Sequence, residues 1–411
     1  MQKAEQRTGK GTRNFGRLVS FECKKILQKK LVWITTIVML VIIGISVSSE
    51  LIGDYWVNGE VVDSNYNQFK TDQAYARALD GAVLNQELLD KTFEGYGKIP
   101  VLNLSVPYSA TEEYQKYARP YSPVFNLARS ITKMNVDDML LQKPDEGRLY
   151  ALWEEMLGRE WKNHYLSAEE VQYWEEKKSE LVIPFTYRYS EGYFILFRVL
   201  LTIGFITMLS VSVCLADIFP REYIRRMNQL NLAAENGKRL YFAKFLAGLA
   251  VAAVISLLYS AEAVGLTLLL YGADGFEAPL QLIMPECAQP ISVGAAMLTA
   301  YGLLIVIGIF WGAFVMMLSE VFRSNIAALA ITNGVLLLSM FLNIPEEYRV
   351  LSQIWGYFPG AEILSYWGVF EPRLIPLFGG YLTKWQFAPL LYTGVGALFL
   401  LFGKLAYGRK K

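Results

Sequence analysis

Leu31-Val-Trp-Ile-Thr-Thr-Ile-Val-Met-Leu-Val-Ile-Ile-Gly-Ile-Ser-Val-Ser-Ser49 carries no charge from end to end. A helix over this stretch, rising about 1.5 Å per residue, reaches across the hydrocarbon of a bilayer. What precedes it is basic: residues 1–30 hold nine Lys/Arg against Glu5 and Glu22. The long charged leader, the long apolar core and the lack of a small-x-small site after it argue against a cleavable signal peptide. The stretch is therefore read as a permanent anchor over 31–49.

Working outward, five more apolar stretches have the length to cross, at about 194–216, 245–271, 291–318, 326–342 and 387–405. The whole chain of 411 residues agrees with them. It is 53% hydrophobic and only 19% charged, with a mean hydropathy of +0.27, richer in apolar residues and poorer in charge than soluble chains of this size. Net charge is +1, but the charges are segregated. Residues 50–190 hold fifteen Lys/Arg against twenty-three Asp/Glu. No general basic character suits nucleic acid, and none is expected as a partner.

Lys and Arg collect on the side of a membrane where the chain stays inside. The basic leader, the connection holding Arg221, Arg225, Arg226, Lys238, Arg239 and Lys244, the loop with Arg323, and the tail Lys404, Arg409, Lys410, Lys411 all meet this description. The connection between the third and fourth spans has no Lys or Arg. Six spans with both termini inside satisfy every signal. The expected fold is an all-α integral membrane protein of six transmembrane helices. A mostly helical extracytoplasmic domain over 50–191 lies between spans one and two, and five further spans follow over 192–411.

Within that domain, 72–93 and 145–181 show helical spacing. Leu149, Leu152, Trp153, Met156 and Leu157 fall on one face. The stripe Trp153, Trp161, Tyr165, Tyr173, Trp174 reads as core rather than as a ligand platform. His164, the only histidine, reads as a solvated surface group. Ahead of the first span, Phe15, Leu18, Val19, Cys23 and Ile26 cluster on one side of a helix with Arg17, Lys24, Lys25 and Lys29 free for anionic headgroups, so 1–30 is expected to hold an amphipathic interfacial helix. Residues 343–386 are aromatic-rich and broken by Pro and Gly, which suits segments at the outer interface; packing against the 50–191 domain gives the same pattern.

Chemistry-bearing motifs are missing. No Gly-x-x-x-x-Gly-Lys-Ser/Thr, Gly-x-Ser-x-Gly, His-Glu-x-x-His or Cys-x-x-Cys occurs, and Cys23, Cys214 and Cys287 are scattered. No enzyme activity, bound metal or directly bound cofactor is expected. Glu262 is the one carboxylate well inside a span; Ser256, Tyr259 and Ser260 lie within reach along the sequence to hydrogen-bond it, and it serves either passage of a solute or packing. Gly308-Ile-Phe-Trp-Gly312 is a small-xxx-small match that permits close helix contact.

The connection 217–244 is the most informative. Asp217 reads as a helix cap with Pro220 in the first turn, Tyr223, Met227, Leu230 and Ala234 share one face, and Gly237 reads as a stop. An acidic residue after a span, a short helix, and a basic turn leading through Ala-Lys into the next span resemble the ABC type-2 transporter permease family. Two further passages, 72–83 with Glu87-Leu-Leu and 183–193, look like its ectodomain-bearing exporter subgroup of the kind seen in Firmicutes. The resemblance implies a bacterial cytoplasmic membrane permease subunit that moves a hydrophobic, amphipathic or peptide cargo. It implies a separate cytoplasmic ABC ATPase partner carrying ATP and Mg²⁺, and a second permease copy or related permease. It also implies that 217–244 is the coupling segment: Glu222 matches the family's glutamate, Gly237, Lys238, Arg239 and Lys244 its turn and basic re-entry, and Tyr223, Met227 and Leu230 the docking face. Arg226-Met227 departs from the glycine many members carry. Two other readings stay open, a secondary transporter and a non-transporting receptor or immunity factor whose ectodomain binds a peptide.

Overall fold

The computed structural model describes residues 2–57, 59–99, 111–224, 237–377 and 379–407; of 2–14, 237 and 238 only the backbone is described. The chain is mostly helical. Helix α1 spans Gln2–Leu27 and α2 spans Lys30–Ser48. A short hairpin, β1 Asp54–Val57 and β2 Glu60–Ser64, leads into α3 Asn65–Ala78 and α4 Gln86–Gly97. Then come α5 Ser122–Thr132, α6 Val136–Gln142, α7 Glu146–Asn163 and α8 Ala168–Lys178. The remainder is α9 Glu191–Leu215, α10 Pro220–Ile224, α11 Gly237–Tyr271, α12 Val293–Phe322, α13 Asn325–Phe341, α14 Arg349–Trp355, α15 Tyr366–Val369, a second hairpin β3 Ile375–Leu377 and β4 Gly380–Leu382, and α16 Lys384–Tyr407.

Five helices among the described residues are long and apolar enough to cross a membrane: α2, α9 with its continuation into α10, α11, α12 and α16. The fifth stretch seen in the sequence becomes α13, an apolar helix of 17 residues. At about 1.5 Å per residue it sits at the lower limit for crossing.

Helix α12 is the hub, packing on α16, α11, α9 and α13. Its approach to α11 depends on two glycines. A Cβ added at Gly308 would fall 2.0 Å from Ser256 Oγ, and one at Gly312 would fall 2.9 Å from Ala252 Cβ. The small-xxx-small spacing is therefore used, and it brings the backbones of α11 and α12 together. Three buried polar side chains in this bundle bond to neighbouring helices. Trp311 Nε1 donates to Ser212 Oγ at 2.9 Å, Tyr301 Oη to Leu196 O at 3.0 Å, and Tyr271 Oη to Val47 O at 2.9 Å. Each removes a polar group that hydrocarbon would penalise.

A second core lies outside the bundle. Leu149, Trp153, Met156, Leu157, Trp161 and Trp174 are buried in it with Phe93, Phe125 and Phe185, so most of the aromatic stripe is core. Tyr165 is the exception and stands exposed. The stretches 72–93 and 145–181 each break into two helices. Turns at 79–85 and 164–167 separate them, and the second turn feeds a capping box in which Ser167 and Glu170 satisfy each other's backbone amides. The two hairpins were not anticipated: their strands are three to five residues long, too short to show an alternating pattern.

The segment 343–386 packs on this second core, the alternative its composition left open. Arg349 reaches both oxygens of Glu170 at 2.6 Å, Glu170 also accepts from Leu374 N, and Trp174 Nε1 donates to Pro372 O at 2.6 Å. The loop before α12 joins in, with Pro285 O accepting from Trp153 Nε1 at 2.8 Å. Beneath lies a balanced charge cluster. Glu371 meets Arg373 at 2.9 Å and Lys384 at 3.1 Å, all three buried, with Glu362 3.4 Å from Lys384. Burial opposes ionisation of Glu371, but Lys384 and Arg373 outweigh it and lower its pKa to about 2.

His164 departs from its reading as a solvated group. It is half-buried, and its Nδ1 lies 2.7 Å from Glu346 Oε2, joining the end of α7 to the segment before α14. That contact is a bond only when Nδ1 carries a proton. Burial disfavours the imidazolium, but hydrogen bonding and charge attraction from Glu346 win, so the pKa is raised above its ordinary 6.5. A raised folded-state value means that the contact stabilises fully below the ordinary pKa and is lost as pH rises through the folded one. Thermal unfolding from pH 5 to 9 is therefore expected to show a stability loss on the alkaline side that His164→Gln removes; an identical profile in the variant would show that the contact contributes nothing.

Candidate functional site

The site built by 217–244 lies where α1, α9, α10 and α11 converge. Helix α9 ends at Leu215, the chain turns, and α10 begins at Pro220, where the missing N–H costs nothing. Asp217 does not cap this helix. Its carboxylate is taken by Lys29, from the link between α1 and α2. Glu222 lies in the first turn of α10 and pairs with Lys244, two turns into α11. The Lys244 side chain is 2% exposed and that of Glu222 13%. The glutamate matched to the permease family is thus held within its own chain.

Further contacts brace the same junction. Tyr223 Oη donates to Glu320 near the end of α12, and the Arg323 guanidinium stands 4.7 Å over the Tyr223 ring. Lys244 Nζ lies 5.8 Å over Phe219, which stacks on Tyr241 at 5.5 Å. On α1, Ile26 is buried, Val19 and Cys23 pack against the bundle core, and Glu22 is buried beside Lys25 at 2.6 Å. The part of the amphipathic face from Val19 to Ile26 is therefore covered by protein, and α1 packs mainly on α11. A cavity of about 310 Å³ opens among Lys25, Lys29, Asp217, Arg221, Glu222 and Lys244.

Of the residues singled out in the sequence, the structure brings Glu222 and Tyr223 into this junction. Met227 and Leu230 lie outside the described residues, as does Ala234. Gly237 is the first residue of α11, with Lys238 next on the helical backbone. Arg239 is exposed. Glu262 is elsewhere, half-buried on α11, and the hydroxyls expected to serve it do not. Ser256 Oγ bonds Ala252 O, Tyr259 Oη bonds Ser210 Oγ, and Glu262 Oε2 and Ser260 Oγ have no hydrogen-bond partner among the described residues. The α-helical i−4 carbonyl and the facing helix are nearer partners for those hydroxyls than a carboxylate on the next turn.

Sequence reading missed Glu22, Lys29, Asp217 and Glu320 as partners in this cluster. Glu22 did carry a signal, since it falls three residues after Val19 and four before Ile26, on the apolar face rather than the basic one. Among the described residues, Asp217 faces Lys29, Glu222 faces Lys244 and Glu320 accepts from Tyr223, so these contacts tie neighbouring elements together at the junction. No protein-family model matches the sequence, and no curated protein matches it either.

Removing one partner of a buried pair strands the other, at about 3 kcal/mol. Glu222→Ala and Lys244→Ala are each expected to cost roughly that amount in fluorescence-detected thermal unfolding in detergent, while Glu222→Leu with Lys244→Met recovers most of the loss. Near-neutral single variants would mean that the pair is solvated and does not brace the junction.

Proposed function

We propose that this chain is the permease subunit of an ABC-type exporter, working with a separate ATPase. The reading assigns six transmembrane helices, with α13 as the fifth, both termini in the cytoplasm, and α3–α8 in a domain outside. The observation that carries it is the junction around Glu222: a short segment between two long spans is tied by ion pairs or hydrogen bonds to the link between α1 and α2, to α11 and to α12. A push on that segment would reach all three at once. A plain solvated loop would not be wired in this way. The chain's lack of a phosphate-cradling loop, legible in the full sequence, supports placing ATP and Mg²⁺ on a partner.

Glu222 then serves the partner indirectly, by fixing the pose of α10. The faces left for contact are those not consumed inside the chain. Arg221 and Arg239 are exposed, and Ile224 is 74% exposed at the last described residue of α10. An apolar side chain so placed, at the rim of a basic surface, suits an anchor for a protein interface. The cargo class, hydrophobic, amphipathic or peptide, rests on the family resemblance alone, as does pairing with a second permease.

With Cys23, Cys214 and Cys287 replaced, an impermeant thiol reagent should label single cysteines at Glu94 and Glu169 in intact cells, and one at Lys238 only after permeabilisation; the reverse pattern would overturn the orientation. In membranes co-expressing the ATPase that stimulates with this chain, Ile224→Asp should cut that stimulation about tenfold while membrane levels of the chain stay unchanged. Full stimulation in the variant would remove α10 from the docking surface.

A further inference from the structure

At the far end of the bundle from the Glu222 junction, a cleft of about 400 Å³ runs between α2 and α9. Its walls include Ile195 and Val199. On its floor an ion pair joins Glu50, just past the end of α2, to Arg198, two turns into α9. This pair is more open than Glu222–Lys244. The Arg198 side chain is 52% exposed and that of Glu50 36%, although both border the apolar surface of spanning helices. Ser46 and Ser49 line the same cleft. Their hydroxyl protons are spent on Ile42 O at 2.8 Å and Ser46 O at 2.9 Å, which leaves the hydroxyl oxygens with acceptor capacity. Glu191, at the start of α9, is within electrostatic reach of both Glu50 and Arg198.

We propose that this cleft binds one zwitterionic phospholipid of the phosphatidylethanolamine type, its acyl chain along the apolar wall, its phosphate on Arg198 and its ammonium on Glu50 and the serine oxygens. Charge balance selects the headgroup. An anionic head that took Arg198 would strand Glu50 beside Glu191, and a purely cationic one would strand Arg198; an unpaired charge at the edge of hydrocarbon is costly. A zwitterion exchanges the one internal pair for two and strands nothing. Arginine suits the phosphate because its planar fork meets two oxygens at once. A primary ammonium suits Glu50 and the serines because it has three N–H donors. The inference requires that α2 and α9 cross a bilayer; it does not require that the chain be a permease, and its test reads neither transport nor ATPase activity.

The test uses the full chain reconstituted in nanodiscs of equimolar, acyl-matched phosphatidylethanolamine and phosphatidylglycerol, followed by native mass spectrometry of the lipid retained after mild detergent extraction. The wild-type chain should retain one phosphatidylethanolamine in preference to phosphatidylglycerol by about fivefold. Glu50→Gln and Arg198→Gln should each abolish the preference. The charge exchange Glu50→Arg with Arg198→Glu should keep it, because both headgroup partners remain, and retention there distinguishes loss of a site from loss of fold. Equal retention of the two lipids by the wild type, a preference for phosphatidylglycerol, or a preference unchanged in both single variants would each overturn the proposal.

Discussion

The close approach of α12 to α11 at Gly308 and Gly312 is the constraint on which the helical bundle turns. Helices in hydrocarbon gain nothing by hiding apolar side chains from one another, because the lipid is as apolar as they are. What holds them is close packing and the polar contacts that packing allows. With Ser256 and Ala252 seated against the two glycines, α12 comes near enough to α9 for Trp311 to reach Ser212 and for Tyr301 to reach Leu196 O. A side chain at either glycine would push α11 away, and one at Gly312 would also press on Leu215 of α9, 3.2 Å off. The hub position of α12 thus follows from two residues without side chains.

Charge is handled differently in different parts of this bundle, in a way that follows burial. The Glu222–Lys244 pair and the Glu371, Arg373 and Lys384 cluster are largely covered, with each carboxylate against a base. Such pairs add little net stability over apolar residues of the same shape, but each makes misplacement of its helix expensive. They therefore set where α10, α11 and the segment 343–386 sit more than how firmly the whole is folded. The Glu50–Arg198 pair is open by contrast, and an open pair is free to exchange partners.

The second core is bound to the bundle by the same means. Glu170 illustrates the economy of it. One buried carboxylate closes the capping box of α8, takes the Arg349 guanidinium and accepts from the Leu374 amide. Three elements distant in sequence are thereby fixed to one side chain. Trp153 and Trp174 add indole bonds to Pro285 O and Pro372 O. The loops between the later helices are consequently part of this core, rather than connections passing beside it.

By itself the sequence determined the apolar helices, their order, the basic leader and the core face of α7, because each depends on periodicity, length or charge within a short window. Leu149, Trp153 and Met156 could be placed on one face without knowing what covered it. The glycine spacing in α12 was visible too, though not its partner. Only the tertiary structure decided which charges meet. Glu222 could be assigned to a first turn but not to Lys244, and Asp217 looked free to cap a helix until Lys29, 188 positions away, took its carboxylate. His164 looked solvated for the same reason, since Glu346 lies far along the chain. Pairing depends on which helices come together in space, and a charged side chain carries no local mark of the partner that will neutralise it.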